Sequence, residues 1–376
     1  MNFSRLISIL FLLTALTACR LEPALYLRET VQAQLSVATR VNLDLMWQVD
    51  WQADWSFRWN VETLGPLGYI EPASVRVHTY SLDADSNHKD HAVRNFYGTS
   101  AEIPVFVGTY DLLFHNNDSE VLLFDTDVVT DEVHCHTRVI SSGLKDSDPV
   151  LTSKQKLAGT KVGENALESE PVTLMPDGLF FLYDRGQVIS DDLSLYEYID
   201  GRYILRIEGE MHPGTFIYLI QIHLLNNNGR VVGSNGGAAL TGMAAGLNLN
   251  TAATDSTTVS VPMDVYMDRT ENLLGSRVLS FGIPGCVLYD TRSMDEAPAN
   301  RHFLVLNVSY ANGSWKNIRM DVTSNVRELP LGGVIDIELD VNDFPPESGQ
   351  TGGDGGGFNA LIDSWKDEEA GITIIN

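Results

Sequence analysis

Basic residues are scarce in this chain: 25 Lys and Arg stand against 50 Asp and Glu, for a net charge of −25. A surface of that sign repels nucleic acid and anionic lipid headgroups, which excludes nucleic-acid partners. Cysteine is scarcer still, with three residues at 19, 135 and 286. A disulfide framework is therefore excluded. Cys135 and Cys286 can be two buried thiols or one long-range bridge; sequence leaves both open. Past residue 18 no apolar run approaches the roughly 20 residues that span a bilayer. The motifs of common enzymes are also missing. There is no Gly-x-Ser-x-Gly elbow, no His-Glu-x-x-His, no Walker loop and no dinucleotide fingerprint. Paired acids such as Asp191-Asp192 and Glu368-Glu369 are expected by chance among so many carboxylates. The chain reads as a non-enzyme with no cofactor.

What is present begins at the N-terminus. Arg5 precedes an apolar stretch from Leu6, which closes on Leu16-Thr17-Ala18-Cys19. A charged start, a short apolar run and a small residue before the cut make a secretory signal. Cys directly after Leu-x-Ala makes it a lipoprotein signal, with residues 1–18 removed and Cys19 lipidated. The mature chain is one unit more negative, because Arg5 leaves with the signal. It is expected to hang from a membrane by that lipid, in the outer membrane, with either leaflet open.

The body of the chain reads as all-β. Val41, Leu43, Leu45, Trp47, Val49 and Trp51 alternate with polar residues, the period of a half-buried strand. Further strands are expected at 75–80, 103–106, 108–114, 120–124, 132–140, 203–208, 230–232, 259–261, 280–282, 303–310, 315–322 and 334–341. The apolar run 215–225 fits a strand or a buried helix. Gly233-Ser-Asn-Gly-Gly237 has no following Lys to hold a phosphate and reads as a loop. Many short strands between Asn, Gly and Asp turns predict two β-sandwiches. The expected layout is a lipid-anchored segment at 19–40, a first sandwich at 41–170, a second at 171–346, and a Gly-rich linker with a C-terminal strand at 347–376. The polar stretch 141–170 supplies the boundary.

Three groups of residues invite a functional reading. Trp47, Trp51, Trp55 and Trp59 recur every four residues, so in a strand they share one face. They are core, or a platform for sugar rings. His134-Cys135-His136 puts two imidazoles on one side of a strand, with His78, His88, His91 and His115 as candidate further metal ligands. No zinc spacing is matched, and an ordinary strand accounts for the motif equally. At the end, Phe358 to Ile375 carries Leu361, Ile362, Trp365, Ile372, Ile374 and Ile375 behind a glycine hinge. That predicts a strand packed on its own domain or lent to a partner's sheet, against a helix at 358–369.

Residues Gly108-Thr-Tyr-Asp-Leu-Leu-Phe-His-Asn-Asn117, Leu240-Thr-Gly-Met-Ala-Ala-Gly-Leu-Asn-Leu249, Phe281-Gly-Ile-Pro-Gly285 and the segment from Phe358 to Ile374 with Trp365 carry a family resemblance. With the lipoprotein signal, the chain resembles Bacteroidetes-type fimbrillin-like lipoproteins, including fimbrial anchors and minor subunits. The resemblance implies two transthyretin-like β-sandwich domains, no catalytic residues, and fimbrial subunits as partners. Polymerising members carry a cleavage site after their first strand. Arg40 is the candidate here, and it precedes the 41–51 strand, which favours an anchor or accessory subunit. Arg20-Leu21-Glu22-Pro23 lacks the acidic cluster that resembles a surface-export tag. A glycan-binding lipoprotein that uses Trp47 to Trp59 is the alternative.

Overall fold

The computed structural model describes residues 31–39, 72–127, 130–141, 150–151 and 170–344. Cys19, the 41–51 alternation, the four tryptophans and the C-terminal segment lie outside the described residues. Within them the chain is mostly β, with strands in several sheets and two short helices, α1 (Thr291–Asp295) and α2 (Thr323–Glu328). No helix among the described residues is long and apolar enough to cross a membrane.

Contacts divide the chain into two compact units that interleave along the sequence. Among the described residues the first takes 31–39, 72–118 and 182–211, and the second takes those from 119 to 181 and from 212 to 344. The sequence reading set the domains end to end, with a cut near 170. The division differs because long-range pairing, not chain order, builds the first unit. Its sheet gathers β1 (Val31–Thr39), β2 (Ser74–Leu82), β3 (His88–Tyr97), β4 (Ser100–Val105), β5 (Gly108–Asn116), β11 (Phe180–Ile189) and β13 (Arg202–Pro213). The order is β3-β2-β5-β11-β13-β1-β4, with β12 (Glu197–Ile199) also paired to β13. β1 runs parallel to β13, with Gln32 opposite Ile204, and antiparallel to β4.

The edges of this sheet match their sequences. β3 is polar and exposed along almost its whole length, as an edge strand with one open side should be. β4 carries Pro104, which lacks a backbone N–H and so suits an edge. The inner strands β2 and β5 bury Val75, Val77, Leu112, Leu113 and Phe114.

The second unit holds three sheets. One orders β8 (Val139–Ser141), β10 (Val172–Thr173), β18 (Thr258–Met263), β15 (Val231–Ala244), β21 (Phe303–Tyr310), β22 (Trp315–Asp321) and β9 (Val150–Leu151). Another orders β19 (Val265–Asp268), β20 (Leu273–Ser280), β14 (Phe216–Leu225) and β23 (Gly333–Asp340). The third orders β17 (Ala253–Thr254), β16 (Gly246–Asn248), β7 (Val133–Thr137) and β6 (Leu122–Thr126).

The apolar run 215–225 is a strand. β14 lies between β20 and β23, antiparallel to one and parallel to the other. A strand covered on both faces reads as a continuous apolar run, which hides its period. Ile217, Leu219, Leu273 and Leu279 form a buried cluster there, with Met175, Tyr266 and Val334 packed against it.

The segment 233–237, read as a loop, belongs to β15 instead. Its glycines accompany register shifts against β21 between Val231 and Gly233 and between Ser234 and Ala238. Glycine inside a strand commonly marks such a bulge. A further shift against β18 falls between Leu240 and Met243, where Gly242 adopts a φ of 76°.

Candidate functional site

Two histidine groups and one cleft stand out among the described residues. His134 and His136 lie on β7 with Cys135 buried between them, as alternation requires. Their rings stack with centroids 5.6 Å apart. Each Nε2 faces a carboxylate at 2.9 Å, Asp255 for His134 and Asp125 for His136. The hydrogen bond to Asp255 is the main cause that raises the His134 pKa above its ordinary value.

The four other candidate histidines, His78, His88, His91 and His115, gather in the first unit. His78 Nδ1 lies 3.1 Å from His91 Nε2, and His78 Nε2 lies 3.2 Å from His115 Nε2. The chain fixes its own tautomers. His115 Nδ1 donates to the Asn116 carbonyl at 2.8 Å, so its Nε2 accepts. His78 then donates from Nε2 and accepts at Nδ1 from His91. His78 and His115 are neutral in this arrangement. Burial holds His78 down to about 3 and His115 to about 4. Tyr80, fully buried, stacks on both His88 and His91 with centroids 4.4 Å apart. His88 approaches Asp111 at 3.3 Å, and the same carboxylate accepts from the Tyr183 hydroxyl and the Gly186 N–H.

The metal expectation drew ligands for His134 and His136 from this second group. The structure instead gathers His78, His88, His91 and His115 with one another and gives His134 and His136 carboxylate partners. No group of three or more His, Cys, Asp or Glu able to hold a metal ion occurs among the described residues. Cys135 and Cys286 are free and buried, and burial raises both thiols. Asp192, half of an acidic pair, accepts from the Ser194 N–H and caps a short 3₁₀ turn.

The cleft has a volume of about 430 Å³ and lies in the first unit between β3 and the chain from β4 into β5. Register explains its polar wall. Ser81 stands opposite both Asp90 and Tyr110, and Arg94, four residues along β3 from Asp90, shares their face. The histidine chain lies on the other face of the same strands, since His91 stands opposite Tyr80. Ile103 and Phe106 supply apolar surface; Ile103 is buried, whereas Phe106 is 64% exposed. Asp90 Oδ2 meets the Ser81 hydroxyl at 3.4 Å. Burial raises the Tyr110 phenol, which also takes a hydrogen bond from the Phe106 backbone and feels the Asp90 charge. The sequence reading passed over Asp90 and Arg94, because β3 shows no apolar alternation to mark it as a strand; Tyr110 fell in the expected strand 108–114 without a functional role.

No protein-family model and no curated protein matches this chain. Solved structures do match it. A candidate adhesin from Bacteroides ovatus matches at 13% identity and TM-score 0.49, covering 85% of this chain and 94% of that one. The fimbrial anchor protein Mfa2 from Porphyromonas gingivalis matches at 9% identity and TM-score 0.40, covering 83% and 90%. The tip fimbrial protein Mfa3 from the same organism, truncated at its C-terminus, matches at 8% identity and TM-score 0.30, covering 77% and 81%. The chain is thus similar in structure to Bacteroidetes adhesins and fimbrial anchor and tip proteins.

Proposed function

We propose that this chain is a lipid-anchored envelope protein, the anchor or an accessory subunit of a pilus-like fimbrial structure involved in adhesion. Its two β units are read as transthyretin-like sandwiches. The observation that carries the reading is Leu16-Thr17-Ala18-Cys19 at the end of a short apolar run, which supports export and a lipid on Cys19; the outer membrane is the location this reading proposes. The mostly β architecture, with strands in several sheets, is consistent with a structural subunit. One of the proteins it is similar to is itself a fimbrial anchor. Partners in this reading are fimbrial subunits, with the membrane reached through the lipid; no enzymatic role is assigned.

The test begins with labelled palmitate and the native envelope. Wild type takes up the label and partitions into detergent; Cys19→Ala does neither. Recovery of the intact lipoprotein then brings fibre subunits with it. A Cys19→Ala protein that partitions like wild type overturns the anchor. Recovery of glycan transporters in place of fibre subunits favours the alternative, a glycan-binding lipoprotein.

A further inference from the structure

We propose that the cleft between β3 and the β4–β5 connection binds a neutral saccharide about two rings long. The inference is independent of the fimbrial reading and of the four tryptophans. Its volume of about 430 Å³ falls in the range of small-ligand sites, roughly 300–1,000 Å³.

The chemistry of the walls then selects the ligand. Phe106 presents 64% of its surface to solvent at the cleft, with Val107 beside it at 38%. An exposed aromatic ring beside a polar wall offers a face for the apolar C–H side of a sugar ring. Opposite it, Asp90 and Arg94 stand four residues apart on one face of a strand. At the usual rise per residue their Cα atoms are about 13 Å apart, so they mark two ends of the cleft rather than one ion pair. A carboxylate accepts from neighbouring hydroxyls, and a guanidinium donates to ring and hydroxyl oxygens through a planar fork. Ser81 and Tyr110 add hydroxyls beside Asp90.

The lining carries Lys89 and Arg94 beside Asp90, so the cleft itself does not repel an anion. The chain as a whole carries −25, and that long-range field favours a neutral sugar over a uronic or sialic acid. The same residues argue against an extended peptide. The outer edge strand carries Lys89, Asp90 and Arg94 side by side with other polar residues, the pattern that blunts strand addition.

Cellobiose, maltose, lactose and chitobiose are the probes, titrated into the full-length protein in detergent and read by calorimetry and by chemical-shift changes. At least one of them binds, while glucuronic acid and an extended hexapeptide do not. Phe106→Ala, Asp90→Asn and Arg94→Gln each weaken binding at least about tenfold, which corresponds to 1.4 kcal/mol. All three positions are exposed, so the variants keep the wild-type melting temperature. Tyr97→Ala, at a side chain 93% exposed and outside the cleft lining, leaves binding unchanged. Failure of all four disaccharides overturns the proposal, as does binding that survives Phe106→Ala and Asp90→Asn together. Binding of the peptide alone overturns it in favour of strand addition.

Discussion

The Nε2 atoms of His78 and His115 lie 3.2 Å apart in the first unit, joined by a single proton. Both side chains are buried, at 4% and 0% exposure. His302, in the second unit, is also fully buried, and burial outweighs its contact with the Thr241 backbone. Burial lowers all three from 6.5, to about 3 for His78 and about 4 for the other two. Between those values and 6.5 the unfolded chain binds protons that the folded chain refuses. Stability is therefore full above pH 6.5 and falls as the pH drops towards 4, by roughly 1.4 kcal/mol per unit for each ring. Denaturant titrations at pH 7 and pH 5 should show the loss. His115→Gln should flatten the slope; a slope unchanged by that substitution would remove the histidine chain as its source.

The pair His134 and Asp255 has the opposite sign. Hydrogen bonding raises the His134 pKa, so the pair's contribution is present below about pH 6.5 and is lost as pH rises through the raised value. The side chains are 35% and 30% exposed, so solvent screening keeps the effect to roughly 1 kcal/mol or less. Asp255→Asn should bring the His134 titration, followed by NMR, down towards 6.5. A titration that stays in place would mean that Asp255 is not its cause.

Gly242 should tolerate no side chain. Its φ is 76°, and a Cβ there would collide with the carbonyl oxygen of Arg301. Its N–H donates at 2.9 Å to Glu170, whose other oxygen takes the Ser260 hydroxyl at 3.0 Å. Gly242→Ala should cost roughly 1–3 kcal/mol from backbone strain alone. Glu170→Ala should cost a similar amount, about 1–3 kcal/mol, by leaving a buried N–H and hydroxyl without an acceptor. Denaturant midpoints of the two variants test both; wild-type midpoints would contradict the packing described for β15.

Removing residues 358–376 distinguishes the two readings of the C-terminal strand. If it packs on its own domain, the melting temperature falls, since each buried Ile, Leu or Trp contributes roughly 1.5–3 kcal/mol. If it is lent to a partner, the truncated chain keeps its stability and no longer assembles. A truncated protein unchanged in both respects rules out either form.

Alternation made β23 legible in the sequence, because every second residue of its first half meets the core; β2, β5 and β21 were legible as short runs of apolar and β-branched residues between turns, although β5 and β21 are buried on both faces. β14 was ambiguous because both of its faces are covered and the period vanishes. β3 left no trace, since His88 to Tyr97 is a polar edge strand that pairs, among the described residues, with β2 alone. The bulged start of β15 looked like a loop because glycine serves both. The interleaving of the units was hidden most deeply. Arg206 reaches Gln34 across 172 residues, and nothing in either local sequence announces so distant a partner. The same limit applied to the candidate sites. His78, His91 and His115 were visible as residues, but their meeting depends on the register of β2 between β3 and β5. Asp90 and Arg94 became a cleft wall only once that register was known.

The placement of β1 has a mechanical consequence. A tether at Cys19 would enter the described structure at Val31, the first residue of a strand bonded along both edges, parallel to β13 and antiparallel to β4. Ladder hydrogen bonds run across the strands. Tension along β1 would therefore load both ladders in shear, many bonds at once, instead of peeling them one at a time. A strand held in this way resists extraction by force far better than a hairpin pulled from its open end.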